Sequence, residues 1–119
     1  GDLAWRDEDG YFWIAGRIDD CFKSRGIFIS PYEIENVLLQ HPAIAEACIV
    51  PLADPEIGNQ IRAVCVLKEG TPANDAIAED IRLNVRNRIA PYKTPHVVEF
   101  IDALPKSHVG KVLRRELIS

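Results

Sequence analysis

The chain has 119 residues, 47% of them apolar and 27% charged, and carries a formal net charge of −4 at pH 7. That length suits one small domain with a modest core. The apolar share excludes a disordered chain, and the acidic balance argues against a dedicated nucleic-acid binder, which needs a basic face. The charge is uneven. Within the first 20 residues, Arg6 and Arg17 stand against Asp2, Asp7, Glu8, Asp9, Asp19 and Asp20, so the whole acidic excess sits there. No apolar run approaches the roughly 20 residues that cross a bilayer, so no membrane span is expected. The sequence contains no methionine and opens on Gly1-Asp2-Leu3 without a signal peptide, and the expectation is a piece cut from a longer protein. Cys21, Cys48 and Cys65 are odd in number and form no CxxC pair. That points away from a zinc or disulfide framework and toward a reducing cytoplasm. Cys48 and Cys65 lie in apolar runs and are expected as small core residues.

In chain order, the first element reads as a hairpin. Asp7-Glu8-Asp9-Gly10 is a turn signal and Tyr11-Phe12-Trp13-Ile14 a strand. Gly16 to Asp20 is expected to interrupt that pattern. Cys21-Phe22-Lys23 and Ile27-Phe28-Ile29 read as short strands around a Ser24-Arg25-Gly26 turn. Ser30-Pro31-Tyr32-Glu33 predicts a helix start with a capping box and proline in the first turn. Ile34, Val37 and Leu38 then give an apolar stripe, and His41-Pro42 stops the helix. Ile44 to Leu52 and Ile61 to Leu67 read as strands on either side of a loop at Asp54 to Asn59. Ile77, Ile81, Val85 and Ile89 predict a second helix, closed by Ala90-Pro91. Val97 to Ile101 reads as a third core strand, and Lys106 to Lys111 as a polar loop. Val112 to Ile118 suits a short terminal helix. The alternation of strands and helices implies an α+β fold: an N-terminal β-hairpin, then a small α/β layer whose central, roughly three-stranded sheet is flanked by helices.

No complete catalytic set stands in the sequence: no GxSxG, no Walker loop, no HExxH. His41, before a proline at a helix end, is read as structural. Lys111 is the most suggestive residue. It follows Gly110 in a polar loop, where an ammonium can reach outward and stabilise phosphate or carboxylate charge as it develops. The plain alternative is a solvated lysine within a basic cluster of Lys106, Lys111, Arg114 and Arg115. Asp2 has the chemistry to hold a ribose diol, with Arg17 adding donors to the same sugar, against the alternative of exposed surface charges. Asp19-Asp20 is a turn, a cap or a hinge. Gly26 serves a turn or a close approach of backbone to a ligand.

Taken together, these blocks resemble the C-terminal domain of adenylate-forming enzymes, the group of acyl-CoA synthetases, peptide-synthetase adenylation domains and firefly-type luciferases. Three stretches carry the resemblance: Gly1-Asp2 through Asp9-Gly10-Tyr11 to Gly16-Arg17, then GRIDDCFKSRGIFISPYEIE at 16–35, then LPKSHVGKVLRREL at 104–117. HPAIAEACIVPLADPEIG and APYKTP lie between them, so the match runs the length of the chain in order. The resemblance implies a mobile lid, 19–119, behind an end segment, 1–18, with a large N-terminal domain as its partner. It also implies a two-step reaction. A carboxylic acid attacks the α-phosphate of ATP, with Mg²⁺, and CoA then takes the acyl group from the adenylate. By position, Lys111 matches the adenylation lysine, Asp2 and Arg17 the nucleotide contacts, and Asp19 the hinge. Lys23 and Gly26 match the loop that serves the thioester step. Many relatives place Arg or Gln at the position of Phe28, and Gly or Ala near Ser30; Phe28 cannot supply that polar contact. Two other readings remain open: an adenylation domain that loads a carrier protein, and a free-standing α/β binding module using the basic tail from Lys106 to Arg115.

Overall fold

The computed structural model describes the backbone of residues 2–5 and 12–17, and the whole of residues 20–118. The expected turn at Asp7 to Gly10 and the residue Asp19 lie outside that range. Strands β1 (Asp2–Trp5) and β2 (Phe12–Arg17) pair antiparallel, with a register shift between Leu3 and Ala4. The second strand does not stop at Gly16. It runs on to Arg17, because Gly16 and Arg17 find partners in Leu3 and Asp2.

A second, tighter hairpin follows, with β3 (Phe22–Ser24) against β4 (Ile27–Ile29). Its two-residue turn needs positive φ at both corners, and Arg25 (φ 54°) and Gly26 (φ 76°) supply it. Cys21 precedes the strand rather than opening it. Phe22 and Ile29 pass beneath the hairpin into the core.

Helix α1 (Pro31–Leu39) begins where the sequence places it, with Ser30 as N-cap and proline in the first turn. The capping box, however, does not form. The Ser30 side chain makes no capping hydrogen bond, and Glu33 turns outward to Lys93 at 2.6 Å. An ion pair with a lysine 60 residues away has replaced the reach back to the Ser30 N–H. The helix stops as His41 folds under it. His41 is buried, its Nε2 lies 2.6 Å from Asp80 Oδ2, and its Nδ1 accepts the Ala43 N–H at 3.0 Å. It is a structural histidine, as expected.

The central sheet is mixed. Strands β5 (Ile44–Asp54) and β6 (Gly58–Leu67) form one long antiparallel hairpin, and β7 (Val97–Phe100) joins β6 in parallel. The strict alternation of strand and helix therefore fails between β5 and β6, where three turn residues suffice. It holds between β6 and β7, where a parallel partner demands a crossover. Helix α2 (Asp75–Arg88) provides that crossover, capped by Asn74 Oδ1 on the Ile77 N–H at 3.0 Å.

The period-2 alternation of β5 and β6 sorts the core into two clusters. Ile49, Ile61, Ala63 and Cys65 face the helices, with Ile34, Leu38, Ile81 and Val85. Cys48, Val50 and Val64 face the other way and are covered by Leu104 and Leu117 of the C-terminal segment. Burial pushes the Cys48 and Cys65 thiols up to about 12, so both act as neutral core residues. The terminal helix contracts to a single 3₁₀ turn, Arg114–Leu117. Val112 and Leu113 remain exposed, and Leu117 alone of its apolar residues packs on the sheet, too little burial to sustain a longer helix.

Candidate functional site

The loop that bears Lys111 is a closed structure. Leu104 anchors its entry in the second cluster. The Leu113 N–H donates to Pro105 O at 2.8 Å, and Lys106 and Val112 form a β-bridge. The Ser107 N–H donates to Lys111 O at 2.8 Å, the Gly110 N–H donates to Ser107 O at 2.9 Å, and Ser107 Oγ accepts the Lys111 N–H at 3.2 Å. Gly110 sits at φ 86°, the left-handed corner this tight tip requires. The backbone of Lys111 is thus fixed from within the loop, while the residue itself is exposed.

The basic cluster expected around Lys111 does not exist as such. Lys106 is paired with Glu46 at 2.5 Å. Arg114 turns inward and is the best-connected side chain of the segment. Its guanidinium binds both oxygens of Glu35, donates to Ile49 O at 2.7 Å and to Cys48 Sγ at 3.3 Å, and brings Nε to 3.6 Å from Asp20 Oδ2. The Tyr32 hydroxyl donates to the same Asp20 oxygen, and the Tyr32 ring lies under the guanidinium at 4.9 Å. Glu35 also accepts the Ile49 N–H at 2.7 Å. Burial works against the charge on Arg114, but the hydrogen bonds and charge of Glu35 outweigh it and hold the group above its ordinary range. Sequence reasoning passed over this residue. A signal was there: Pro31, Ile34 and Leu38 form an i, i+3, i+7 stripe, and Glu35 at i+4 falls on it. A carboxylate on an apolar stripe implies a buried cationic partner.

Asp2 and Arg17 come together. They are direct cross-strand partners at the open end of the β1–β2 hairpin, so one small sheet carries both. Asp19 lies outside the described residues, and Asp20 just beyond it is held by Arg114 and Tyr32. Lys23 and Gly26 share the β3–β4 hairpin, which is tied to the β5–β6 turn. The Arg25 N–H donates to Ile57 O at 2.8 Å, and Asn59 Nδ2 donates to Lys23 O at 2.9 Å. Gly26 is exposed, with no heavy atom within 4 Å of where a Cβ would stand. Phe28 is 56% exposed beside it.

Beside this hairpin opens a cleft of about 300 Å³ whose lining includes Arg25, Arg82, Arg86, Tyr92, Thr94 and His96. Arg82 and Arg86 stand one helical turn apart on α2 and Arg25 comes from the hairpin turn, a grouping that only the fold reveals. Burial, then the charges of Arg25 and Arg82, push His96 below its usual value, against the weaker pull of Asp54. Its Nδ1 accepts the Ile61 N–H at 2.9 Å, which requires the neutral ring. Arg82 is paired at 3.1 Å with Glu79, which also lines the cleft, and Arg25 and Arg86 leave it a basic excess that suits an anion.

The Lys111 loop and the Gly26 hairpin are thus rooted in different clusters, on opposite faces of the central sheet. Comparison with known proteins gives this arrangement its family. Residues 33–111 match the model of the AMP-binding enzyme C-terminal domain. The chain belongs to that family. An acetyl-coenzyme A synthetase of Bacillus subtilis is 44% identical over 117 residues, covering 98% of this chain and 20% of its own length. A 4-hydroxybutyrate–CoA ligase of Metallosphaera sedula is 43% identical, covering 98% and 21%. Among solved structures, an anthranilate CoA ligase in complex with anthranoyl-AMP superposes with a TM-score of 0.85 at 38% identity, over 98% of this chain and 23% of that one. ATP-bound MatB from Rhodopseudomonas palustris gives a TM-score of 0.86 at 30% identity over the same shares. The chain therefore spans about a fifth of the length of the curated relatives it matches. As an AMP-binding C-terminal domain it has an α+β fold of hairpins, a three-stranded mixed sheet and two helices, as the sequence implied. Among the described residues no helix is long and apolar enough to cross a membrane, and no cluster of three or more His, Cys, Asp or Glu is placed to hold a metal.

Proposed function

We propose that this chain is the mobile C-terminal domain of an AMP-forming acid–CoA ligase. Residues 1–18 close the preceding segment, residues 19–119 form the lid, and Asp19 is the pivot between two orientations on a larger N-terminal domain. In the first, a carboxylic acid attacks the α-phosphate of ATP, brought in as its Mg²⁺ complex. Lys111 places its ammonium against the charge that builds on the carboxylate and phosphate oxygens, and pyrophosphate leaves. Asp2 accepts from the ribose hydroxyls and Arg17 donates to the same sugar. In the second, the Lys23–Gly26 hairpin faces the site and CoA sulfur attacks the acyl-adenylate, releasing AMP and the thioester.

The observation that carries this reading is the rooting of the two loops on opposite sheet faces, so that one rigid domain can present either of them. The open space at Gly26 supports the passage of a thin pantetheine chain. The arginine-lined cleft beside it supports a ligand that carries phosphates. The free cysteines, two of them buried, suit a reducing compartment such as the cytoplasm. The free-standing binding module loses its ground, because Lys106 and Arg114 of its basic tail are already paired with Glu46 and Glu35. The relatives, an acetyl-coenzyme A synthetase and a 4-hydroxybutyrate–CoA ligase, favour free CoA over a carrier protein as the acceptor.

The test uses the full-length protein with Lys111→Ala and assays the half-reactions apart. ATP–pyrophosphate exchange should fall by a factor on the order of 10² or more, the effect of removing one well-placed charge donor. Thioester formation from preformed acyl-AMP and CoA should survive. Unchanged exchange would reduce Lys111 to a solvated loop residue and overturn the assignment.

A further inference from the structure

Arg114 joins parts of the molecule that the reaction must keep in register. Its guanidinium and the Glu35 carboxylate are 13% and 12% exposed. Removing two charges from water costs several kcal/mol per ion, and well-packed apolar residues often stabilise such a site equally well. Stability alone therefore does not explain the pair. What a guanidinium does and an apolar side chain cannot is fix direction, because its donors form a planar fork. Here the fork points at β5 through Ile49 O, at α1 through Glu35, and at Asp20 through Nε. Tyr32 closes the arrangement, stacking on the guanidinium and donating to Asp20.

The two ends of this connection matter. Asp20 is the first residue after Asp19. Arg114 comes three residues after Lys111, directly beyond the point where the Leu113 N–H closes the loop on Pro105. The loop is rigid within itself but exposed, so its orientation on the domain is set by its stems. The entry stem is held by Leu104 and by Lys106 on Glu46. The exit stem is held by Arg114 and by Arg62, whose guanidinium donates to Leu117 O.

Resting on the ligase reading above, we propose that Arg114 is a positioning residue for the adenylation step. It locks the residue beyond the pivot, helix α1 and the exit stem of the Lys111 loop into one body, so that rotation delivers the Lys111 ammonium to the reacting oxygens in register. Misplacement of a catalytic group by about 1 Å can cost on the order of 10² in rate, so a loosened stem is felt in that step first. The thioester step uses the β3–β4 hairpin, which is held by Ile57 and Asn59 and not by Arg114.

The experiment compares Arg114→Lys with Asp20→Asn in the full-length protein, each alone and combined with Lys111→Ala. Arg114→Lys keeps the charge and loses the fork; Asp20→Asn leaves the Glu35 pair intact and serves if the first variant does not fold. Arg114→Lys should lower kcat for ATP–pyrophosphate exchange by roughly 10- to 100-fold. KM for ATP and acid should stay within about twofold, and thioester formation from preformed acyl-AMP should be unchanged. Asp20→Asn should act in the same direction and more weakly. Neither change should lower exchange further once Lys111 is alanine, since both act through it. A merely structural role would lower both half-reactions together and multiply with Lys111→Ala, and that result overturns the proposal. So does wild-type exchange in both variants while Lys111→Ala is inactive. If Lys111→Ala itself leaves exchange intact, the ligase reading fails, and this inference with it.

Discussion

Two glutamates on one helix, Glu33 and Glu35, should differ several-fold in what they contribute to stability. Glu35 is buried, accepts the Ile49 N–H at 2.7 Å and holds Arg114 with both oxygens. Replacing it with alanine leaves an amide N–H without its acceptor inside the sheet and a buried guanidinium without its counter-charge. Breaking a buried pair in this way costs about 3–5 kcal/mol, a large share of the 5–15 kcal/mol typical of a whole domain. Glu33 meets Lys93 at 2.6 Å in a pair whose side chains are 43% and 21% exposed. The hydrogen bond to Glu33 raises the Lys93 pKa, but pairs this close to solvent contribute no more than about 1 kcal/mol. Urea unfolding of the 119-residue chain measures the difference. At a slope of roughly 2 kcal/mol/M, Glu35→Ala should lower the midpoint by about 2 M and Glu33→Ala by less than about 0.5 M. Glu35→Gln, which keeps an acceptor for Ile49, should fall between them. Midpoints for the two alanine variants within about 0.5 M of each other would refute the buried-pair argument.

His96 and Gly26 supply two further tests. His96 is held below its ordinary pKa, first by burial and then by Arg25 and Arg82, so below about pH 6.5 the unfolded chain binds the proton that the folded chain refuses. Its contribution is complete above about pH 6.5 and is lost as the pH falls from there through the folded value. Urea midpoints should therefore decline on acidification, and His96→Asn, which can offer Oδ1 to the Ile61 N–H, should flatten that decline; identical slopes would remove His96 as its cause. At Gly26 the space around a new Cβ is open but φ is 76°, so Gly26→Ala should cost only the left-handed backbone strain, about 1–2 kcal/mol. Gly26→Leu should in addition slow the thioester half-reaction while sparing ATP–pyrophosphate exchange, and equal loss in both assays would deny the hairpin its separate role.

Much of the fold could be read locally because local patterns and tertiary packing agree. The apolar positions Ile77, Ile81 and Val85 lie one helical turn apart, and all three meet the core. The tight turn at Arg25-Gly26 and the proline at the start of α1 appear where the residue types place them. The departures share a physical origin, in that a distant partner displaced a local one. Glu33 left the capping box for Lys93. Residues Gly16 and Arg17 joined β2 because Leu3 and Asp2 offered a register to extend it. The terminal helix shortened because one apolar residue, Leu117, had a surface to cover. A propensity or a cap contributes about 1 kcal/mol, so a distant contact of similar size, such as the Glu33–Lys93 pair, is enough to offset it.

The candidate site divides along the same line. Lys111 and Gly26 could be singled out because each sits in a short motif whose backbone geometry depends on neighbouring residues alone. Arg114 could not, because a charged residue near other charged residues reads as a solvated face until its partner is known. Two of the four presumed members of that face, Lys106 and Arg114, point to acids in β5 and α1 instead. The informative residue was on the other side of the contact. A lone carboxylate at position 35, on a stripe that is otherwise Pro31, Ile34 and Leu38, cannot be buried as an ion without a cation to meet it. With Lys93 already taken by Glu33 and Arg62 by Glu99, a cation from the C-terminal segment becomes a natural partner. Such a pairing also explains why so short a segment, with a single 3₁₀ turn and one half-buried leucine at its end, holds a defined place on the sheet. The charge that keeps the Lys111 loop in place belongs to the interior, while the charge that the loop offers to a substrate remains outside.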